Sequence, residues 1–145
     1  MLSMKAKYAI RALLVMAKSS GGVLQSKAIA EEADVPAKFL ENILQELRHH
    51  GMVESRRGIL GGYLLAKPPA EIMVGTLVRI LDGPLAPIRC ASITAYEKCD
   101  DCADENTCAI RKTMLEVRNA IADVLDHKSL AQMMETAGVC VAPGV

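Results

Sequence analysis

Four of the chain's five cysteines, Cys90, Cys99, Cys102 and Cys108, fall within nineteen residues at the spacing C-x8-C-x2-C-x5-C. Between them lie mostly Asp, Glu, Asn, Lys, Thr, Ser and Ala, with hardly a large apolar side chain, so this stretch cannot fold around a core of its own. Cysteines this dense order a polar segment by bridging or by ligating metal. An oxidising compartment favours disulfides, whereas a reducing one favours metal or redox chemistry. Four thiolates suit an iron–sulfur cluster or a structural zinc about equally, with a redox dithiol at Cys99 and Cys102 as a third possibility and plain buried thiols as the bland one. Asp100, Asp101, Asp104 and Glu105 surround the thiols. Negative charge beside a thiol disfavours the thiolate, which argues against bare reactive cysteines.

The chain has 145 residues, room for one compact domain or a small domain with an appendage. Half of it is hydrophobic, yet it holds one Phe and no Trp, so Ala, Leu, Ile, Val and Met must fill the core, as packed helices do. Lys5, Lys7 and Arg11 interrupt the first apolar stretch, and no run is long enough to span a bilayer. The expectation is a cytoplasmic protein without membrane contact, and with it a reducing setting for the thiols. The net charge of zero hides an asymmetry. Residues 1–67 carry ten Lys and Arg against six Asp and Glu, while residues 68–145 carry seven against eleven. A basic first half suits a polyanion, though a solvated face explains the same charges.

The elements around the cysteines read as follows. Residues 5–18 form an amphipathic helix with Ala9, Leu13, Met16 and Ala17 inward. Ser26 is placed to cap a short helix, and Ala33-Asp34-Val35-Pro36 makes a tight turn, because Asp tolerates the left-handed conformation. A longer helix follows, carrying Phe39, Leu40, Ile43, Leu44 and Leu47. Short helix, tight turn and longer helix is the helix-turn-helix arrangement, with a generic helical hairpin as its alternative. Residues 52–55 and 62–65 are short strands joined by Arg56-Arg57-Gly58-Ile59-Leu60-Gly61, a basic, glycine-flexed hairpin tip. Such a wing can enter a minor groove or clamp phosphate. The candidate DNA surface comprises Ser26, Ala37, Lys38 and Glu41 from the helix pair, with Arg56, Arg57, Gly58, Gly61 and Tyr63 from the wing.

Residues 73–81 resume as a helix with Val74, Leu77, Val78 and Leu81 inward. After the cysteines comes a last long helix, about 108 to 126. Its Ile110, Met114, Val117, Ile121 and Val124 recur at intervals of 4-3-4-3, a seam that suits pairing with another helix. Packing on its own domain is the alternative, but the earlier helices already have partners, so the seam predicts a homodimer. The fold class is mainly α with a small β-hairpin wing: a winged helix-turn-helix domain plus a long dimerisation helix. The division runs 1–83 for the DNA-binding domain, 84–108 for the cysteine loop, 108–135 for the dimerisation helix and a short C-terminal helix, and 136–145 for a flexible tail in which Cys140 is a bystander. No nucleophile lies with a base, and the three histidines fall at helix ends, so no enzyme is expected.

Nearly the whole chain resembles the iron–sulfur winged-helix transcription regulators of the IscR, NsrR and RirA type. The resemblance rests on Lys5–Leu13 (KAKYAIRAL), Phe39–Leu47 (FLENILQEL), Gly51–Ala66 (GMVESRRGILGGYLLA), the Leu81-Asp82-Gly83-Pro84 turn and the cysteine loop. It implies a homodimeric regulator, a repressor, on a pseudo-palindromic operator in double-stranded DNA. It also implies a [2Fe-2S] or [4Fe-4S] cluster between the DNA-binding domain and the dimer helix, and DNA contacts matching Lys38, Glu41 and Arg57. Members of that type usually carry three cysteines, the last two separated by five residues; Cys90, Cys102 and Cys108 fit, leaving Cys99 additional. Some members add a His three residues past the last cysteine, where this chain has Arg111. Others borrow an acid from the partner's first helix just before a tyrosine, where this chain has Lys7. Cys99 is then the simplest fourth ligand. The reading is sequence-specific DNA binding set by a cluster that senses iron, redox state or nitric oxide. Its rivals are a cluster-free regulator controlled by thiols or by a partner, a zinc-stapled DNA-binding module, and a cluster-bearing electron carrier for which the wing would have no purpose.

Overall fold

The computed structural model describes residues 2–137. Ser3 starts helix α1 (Met4–Lys18), its hydroxyl accepting the Ala6 N–H at 3.0 Å. The small residues Ala6, Ala9 and Ala12 let neighbours approach α1 closely, and Leu13 and Met16 fill the space between. Helix α2 (Ser26–Ala33) ends at Asp34, whose φ of 53° and ψ of 55° supply the left-handed turn that its sequence predicts. Helix α3 (Ala37–His49) then turns Leu40, Ile43, Leu44 and Leu47 onto α1 and α2. Each of these fully buried leucines contributes about 2 kcal/mol of burial. Phe39 precedes the inward row by one position and stays exposed, above a groove formed with Met4 and Tyr8 of α1.

Strand β1 (Val53–Arg56) pairs antiparallel with β2 (Gly62–Leu65), from Val53 opposite Leu65 to Arg56 opposite Gly62. A further pairing has no signature in the local sequence. Leu24 exchanges backbone bonds with Tyr63, at 2.9 and 2.7 Å, and so docks the wing against the segment before α2. Only glycine fits at Gly62, since a Cβ there would lie 2.2 Å from the Leu24 carbonyl oxygen. The same pairing corrects the expected cap. It keeps the chain extended through Gln25, which takes the N-cap position without a side-chain bond, and Ser26 becomes the first helical residue.

Helix α4 (Val74–Asp82) buries Val74, Leu77, Val78 and Leu81, and Gly83 closes it at a φ of 88°. Helix α5 (Ala109–Leu125) follows the cysteine loop, and α6 (Leu130–Ala137) returns the chain to α1. Two backbone bonds fix that return: Val74 N–H to the Lys128 carbonyl at 2.8 Å and Leu130 N–H to the Ile72 carbonyl at 2.9 Å. Leu130 thereby joins the core built by α1 to α4. Arg79 of α4 grips Asp126, just past α5, through two bonds of 2.6 and 2.9 Å. Gly75 makes the approach possible, because a Cβ there would lie 2.0 Å from Asp126 Oδ1. The fold is a winged helix-turn-helix extended by α5. Cys140 and residues 138–145 of the expected tail lie outside the described residues. Among those described, no helix is long and apolar enough to cross a membrane.

Candidate functional site

Two surfaces carry the candidate chemistry. On the first, α3 keeps its apolar row inward, which leaves Ala37, Lys38, Glu41 and Asn42 exposed along its first turns. Arg56, Arg57 and Gly58 are exposed on the wing, while Gly61 and Tyr63 are half-buried at its base and Ser26 is half-buried at the start of α2. Arg56 is paired with Glu54 at 3.0 Å. Arg57 has no ion-pair partner among the described residues. Arg57 is thus the wing guanidinium free to pair with an anion without first breaking an ion pair.

The second surface is the cysteine loop. A short 3-10 turn, Arg89–Ala91, carries Cys90 inward to 5% exposure, next to the fully buried Ala91. Beyond the buried Ser92 the chain runs largely exposed and is tied by polar contacts. Ser92 accepts the Ala95 N–H, Arg89 pairs with Glu97, Tyr96 hydrogen-bonds to Glu105, and Asp104 accepts the Asn106 N–H at 2.9 Å. The bond to Glu105 holds the Tyr96 phenol above its ordinary value. Exposed pairs of this kind contribute little to stability. Cys108 ends the loop as the N-cap of α5, its sulfur accepting the Arg111 N–H at 3.4 Å. The Arg111 side chain reaches back, its Nε donating to the Cys90 carbonyl at 3.0 Å. Arg111 therefore clasps both ends of the loop to the first turn of α5. It holds the position of a histidine ligand in some proteins of the resembled type, and its polar, non-ligating character was the only hint of this role in the sequence.

Of the four thiols, Cys90 is buried, Cys102 and Cys108 are half-buried and Cys99 is exposed. Contact with the Cys90 thiol, followed by desolvation and the negative surroundings that include Asp101, pushes the Cys99 thiol up. Of the other three thiols, Cys90 thus acts most strongly on Cys99. Among the described residues no three His, Cys, Asp or Glu side chains gather as a metal-binding group. As a donor set, four cysteines on one polar loop fit a thiolate-ligated iron–sulfur centre and a tetrahedral zinc alike.

Along α5 the seam faces solvent. Ile110 is 66% and Val124 61% exposed, Val117 is exposed, Met114 and Ile121 are half-buried, and only Ala122 of the whole helix is buried.

A winged helix-turn-helix with a basic wing and a clasped cysteine loop defines a class of DNA-binding regulators. Residues 2–136 match the Rrf2 family, described as iron-dependent transcriptional regulators, and the chain belongs to that family. It is a DNA-binding transcription regulator, not an enzyme. An rrf2-like HTH-type transcriptional regulator of Rhodobacter capsulatus is 43% identical over 138 residues, covering 92% of each chain. Among solved structures, the global cysteine regulator CymR of B. subtilis superposes with a TM-score of 0.76 at 31% identity, covering 93% of this chain and 96% of that one. IscR of T. potens gives 0.74 at 31% identity, covering 99% and 93%.

Proposed function

We propose that the chain is a homodimeric repressor that holds a pseudo-palindromic operator with α3 and the wing, its hold set by an iron–sulfur cluster on Cys90, Cys99, Cys102 and Cys108. The observation that carries this reading is the clasp: Cys90 is buried, Cys108 caps α5, and Arg111 bonds to both. When bound, a [2Fe-2S] or [4Fe-4S] cluster supplies an iron centre sensitive to iron supply, oxidants and nitric oxide. The chain's own residues do the rest. The four thiolates order a loop that has no core, and the loop ends in the cap of α5. Arg79 and Asp126 tie the far end of α5 to α4. Pairing through Ile110, Met114, Val117, Ile121 and Val124 would set the distance between two recognition helices. Half-sites one turn of DNA apart demand a separation of about 34 Å, so a small shift in α5 changes affinity. Lys38 and Glu41 would face base edges, and Arg57 the groove or phosphate, with Ser26, Ala37, Arg56, Gly58, Gly61 and Tyr63 shaping the same surface.

The test is iron and acid-labile sulfide in anaerobically purified protein, together with DNA binding before and after iron is removed. The proposal expects both elements in brown protein and an affinity that changes on removal. Cys90→Ala, Cys102→Ala and Cys108→Ala should abolish the cluster, while Cys99→Ala should leave one lost faster to air. Zinc without sulfide would replace the proposal with a stapled module. A second reading is favoured by one observation, the influence of the Cys90 thiol on the Cys99 thiol. There the two thiols form a disulfide, passing two electrons and two protons to an oxidant such as a peroxide, and the loop switches without metal. The structural similarity to the cysteine regulator CymR supports it. Mass spectrometry of alkylated protein after peroxide treatment, with no iron present, would identify that pair.

A further inference from the structure

The wing ends in a feature that DNA contact by arginine does not use. Gly58 to Gly61 closes a tight turn, the Gly61 N–H donating to the Gly58 carbonyl at 2.9 Å. Its two central residues are Ile59 and Leu60, which are 94% and 91% exposed. Central turn positions favour Pro, Asp, Asn, Ser or Gly. Two branched aliphatic side chains there gain nothing for the fold, since neither joins the core or the residues packed against it. A local rule broken without a folding benefit marks a functional position. The turn is also closely built. A Cβ on Gly61 would lie 2.3 Å from the Arg56 carbonyl oxygen, and Gly58 sits at a φ of 104°. The backbone therefore holds this apolar pair at the apex of the hairpin.

We infer that Ile59 and Leu60 form an apolar wedge that enters the minor groove of the operator, unstacks a base step and bends the duplex. The inference rests on the DNA-binding reading above and adds a contact to it. Charge and size both favour DNA as the occupant. Arg56 and Arg57 stand immediately before the turn, and Arg57 has no ion-pair partner among the described residues. Two side chains fall far short of the roughly 800 Å² per partner that a stable protein interface buries. They match the one or two aliphatic groups that minor-groove proteins insert between base pairs. Basic residues bring the tip to the phosphates, and the aliphatic pair leaves water only when the groove opens.

The test uses the full-length protein and duplexes that it selects from a random pool. Bend angle is read by energy transfer between dyes at the two duplex ends, and affinity by titration at several salt concentrations. In the Ile59→Ser, Leu60→Ser double variant the bend should fall by about 20° or more. Affinity should drop roughly tenfold, the loss expected for burying one such side chain less well. The salt slope should stay as in the wild type, because no phosphate contact is removed. Ile59→Met with Leu60→Met should restore the bend. Arg57→Ala should do the converse and flatten the salt slope. Wild-type bend and affinity in the double Ser variant would overturn the wedge while leaving DNA binding intact. So would an unchanged bend accompanied by a changed oligomeric state, which would assign the tip to a protein contact. Failure of the wild-type protein to select any duplex would overturn the DNA-binding reading itself, and the wedge with it.

Discussion

The winged-helix half and the cysteine half of this chain are held together by different means. From α1 to α4 every helix turns an apolar row inward, and Leu13, Leu40, Leu44, Leu47 and Leu77 are completely buried. From residue 84 to the end of α5 every large apolar side chain is half-buried or exposed, the loop is tied by exposed polar pairs, and the thiols are the residues with the strongest chemistry. The first half follows from hydrophobic burial within one chain. The second half has no core of its own in one chain, and the proposed function supplies what would complete it: a second helix on the seam of α5 and a ligand on the cysteines. Under the proposed function the reading head takes its order from its own core, and the part that must respond would take its order from a group that can be removed.

The largest effect should come from breaking the seam. Met114→Asp with Ile121→Asp places charges where a partner helix would bury them, each costing several kcal/mol if left unpaired. Sedimentation should show monomer, with the circular dichroism of the winged-helix half retained. An unchanged dimer would mean that α5 is not the pairing surface.

Next are the DNA contacts, which sharpen the comparison by acting only on the rigid half. Arg57→Ala should weaken binding and lower the salt slope by about one phosphate contact. Glu41 can accept from a cytosine amino group, so Glu41→Ala should relax sequence choice more than affinity, with about 1–3 kcal/mol of discrimination at stake. Equal losses on specific and random duplexes for both variants would contradict this division of labour.

The smallest effect belongs to the tie between the halves. The Arg79 guanidinium, through its hydrogen bonds and its charge, holds the Asp126 carboxyl below the usual carboxylate range. A carboxyl depressed on folding stabilises the fold above that range and loses its contribution as pH falls through it. Both side chains are partly exposed, so solvent screening limits the contribution to below about 1 kcal/mol. Thermal unfolding of Asp126→Asn should therefore be slightly easier than wild type at neutral pH and equal to it in acid. A constant difference across pH would show that the pair does not titrate with folding.

What was legible in the sequence follows the same division. The inward rows of α1, α3 and α4, the left-handed Asp34 and the hairpin follow from local periodicity and turn chemistry, which a sequence displays directly. The pairing of Leu24 with Tyr63 was not legible, because it is made by backbone groups of residues far apart in the chain, and its consequence is the displaced cap at Ser26. The return of Leu130 to the core escaped for the same reason. In the cysteine loop, the ligand types and spacing were plain. The influence of Cys90 on Cys99 and the clasp by Arg111 were not, since both depend on how a segment without a hydrophobic pattern folds back.

The central claim is that the cysteine loop takes its order from the group it holds and passes that order to α5, while the winged helix stands alone. Hydrogen–deuterium exchange on anaerobic wild-type protein, before and after removal of iron, tests it most directly. The account predicts that residues 90–108 and the first turns of α5 are protected before removal and exposed after it, with α1 to α4 unchanged. Equal exchange of the loop and α5 in both states would contradict it.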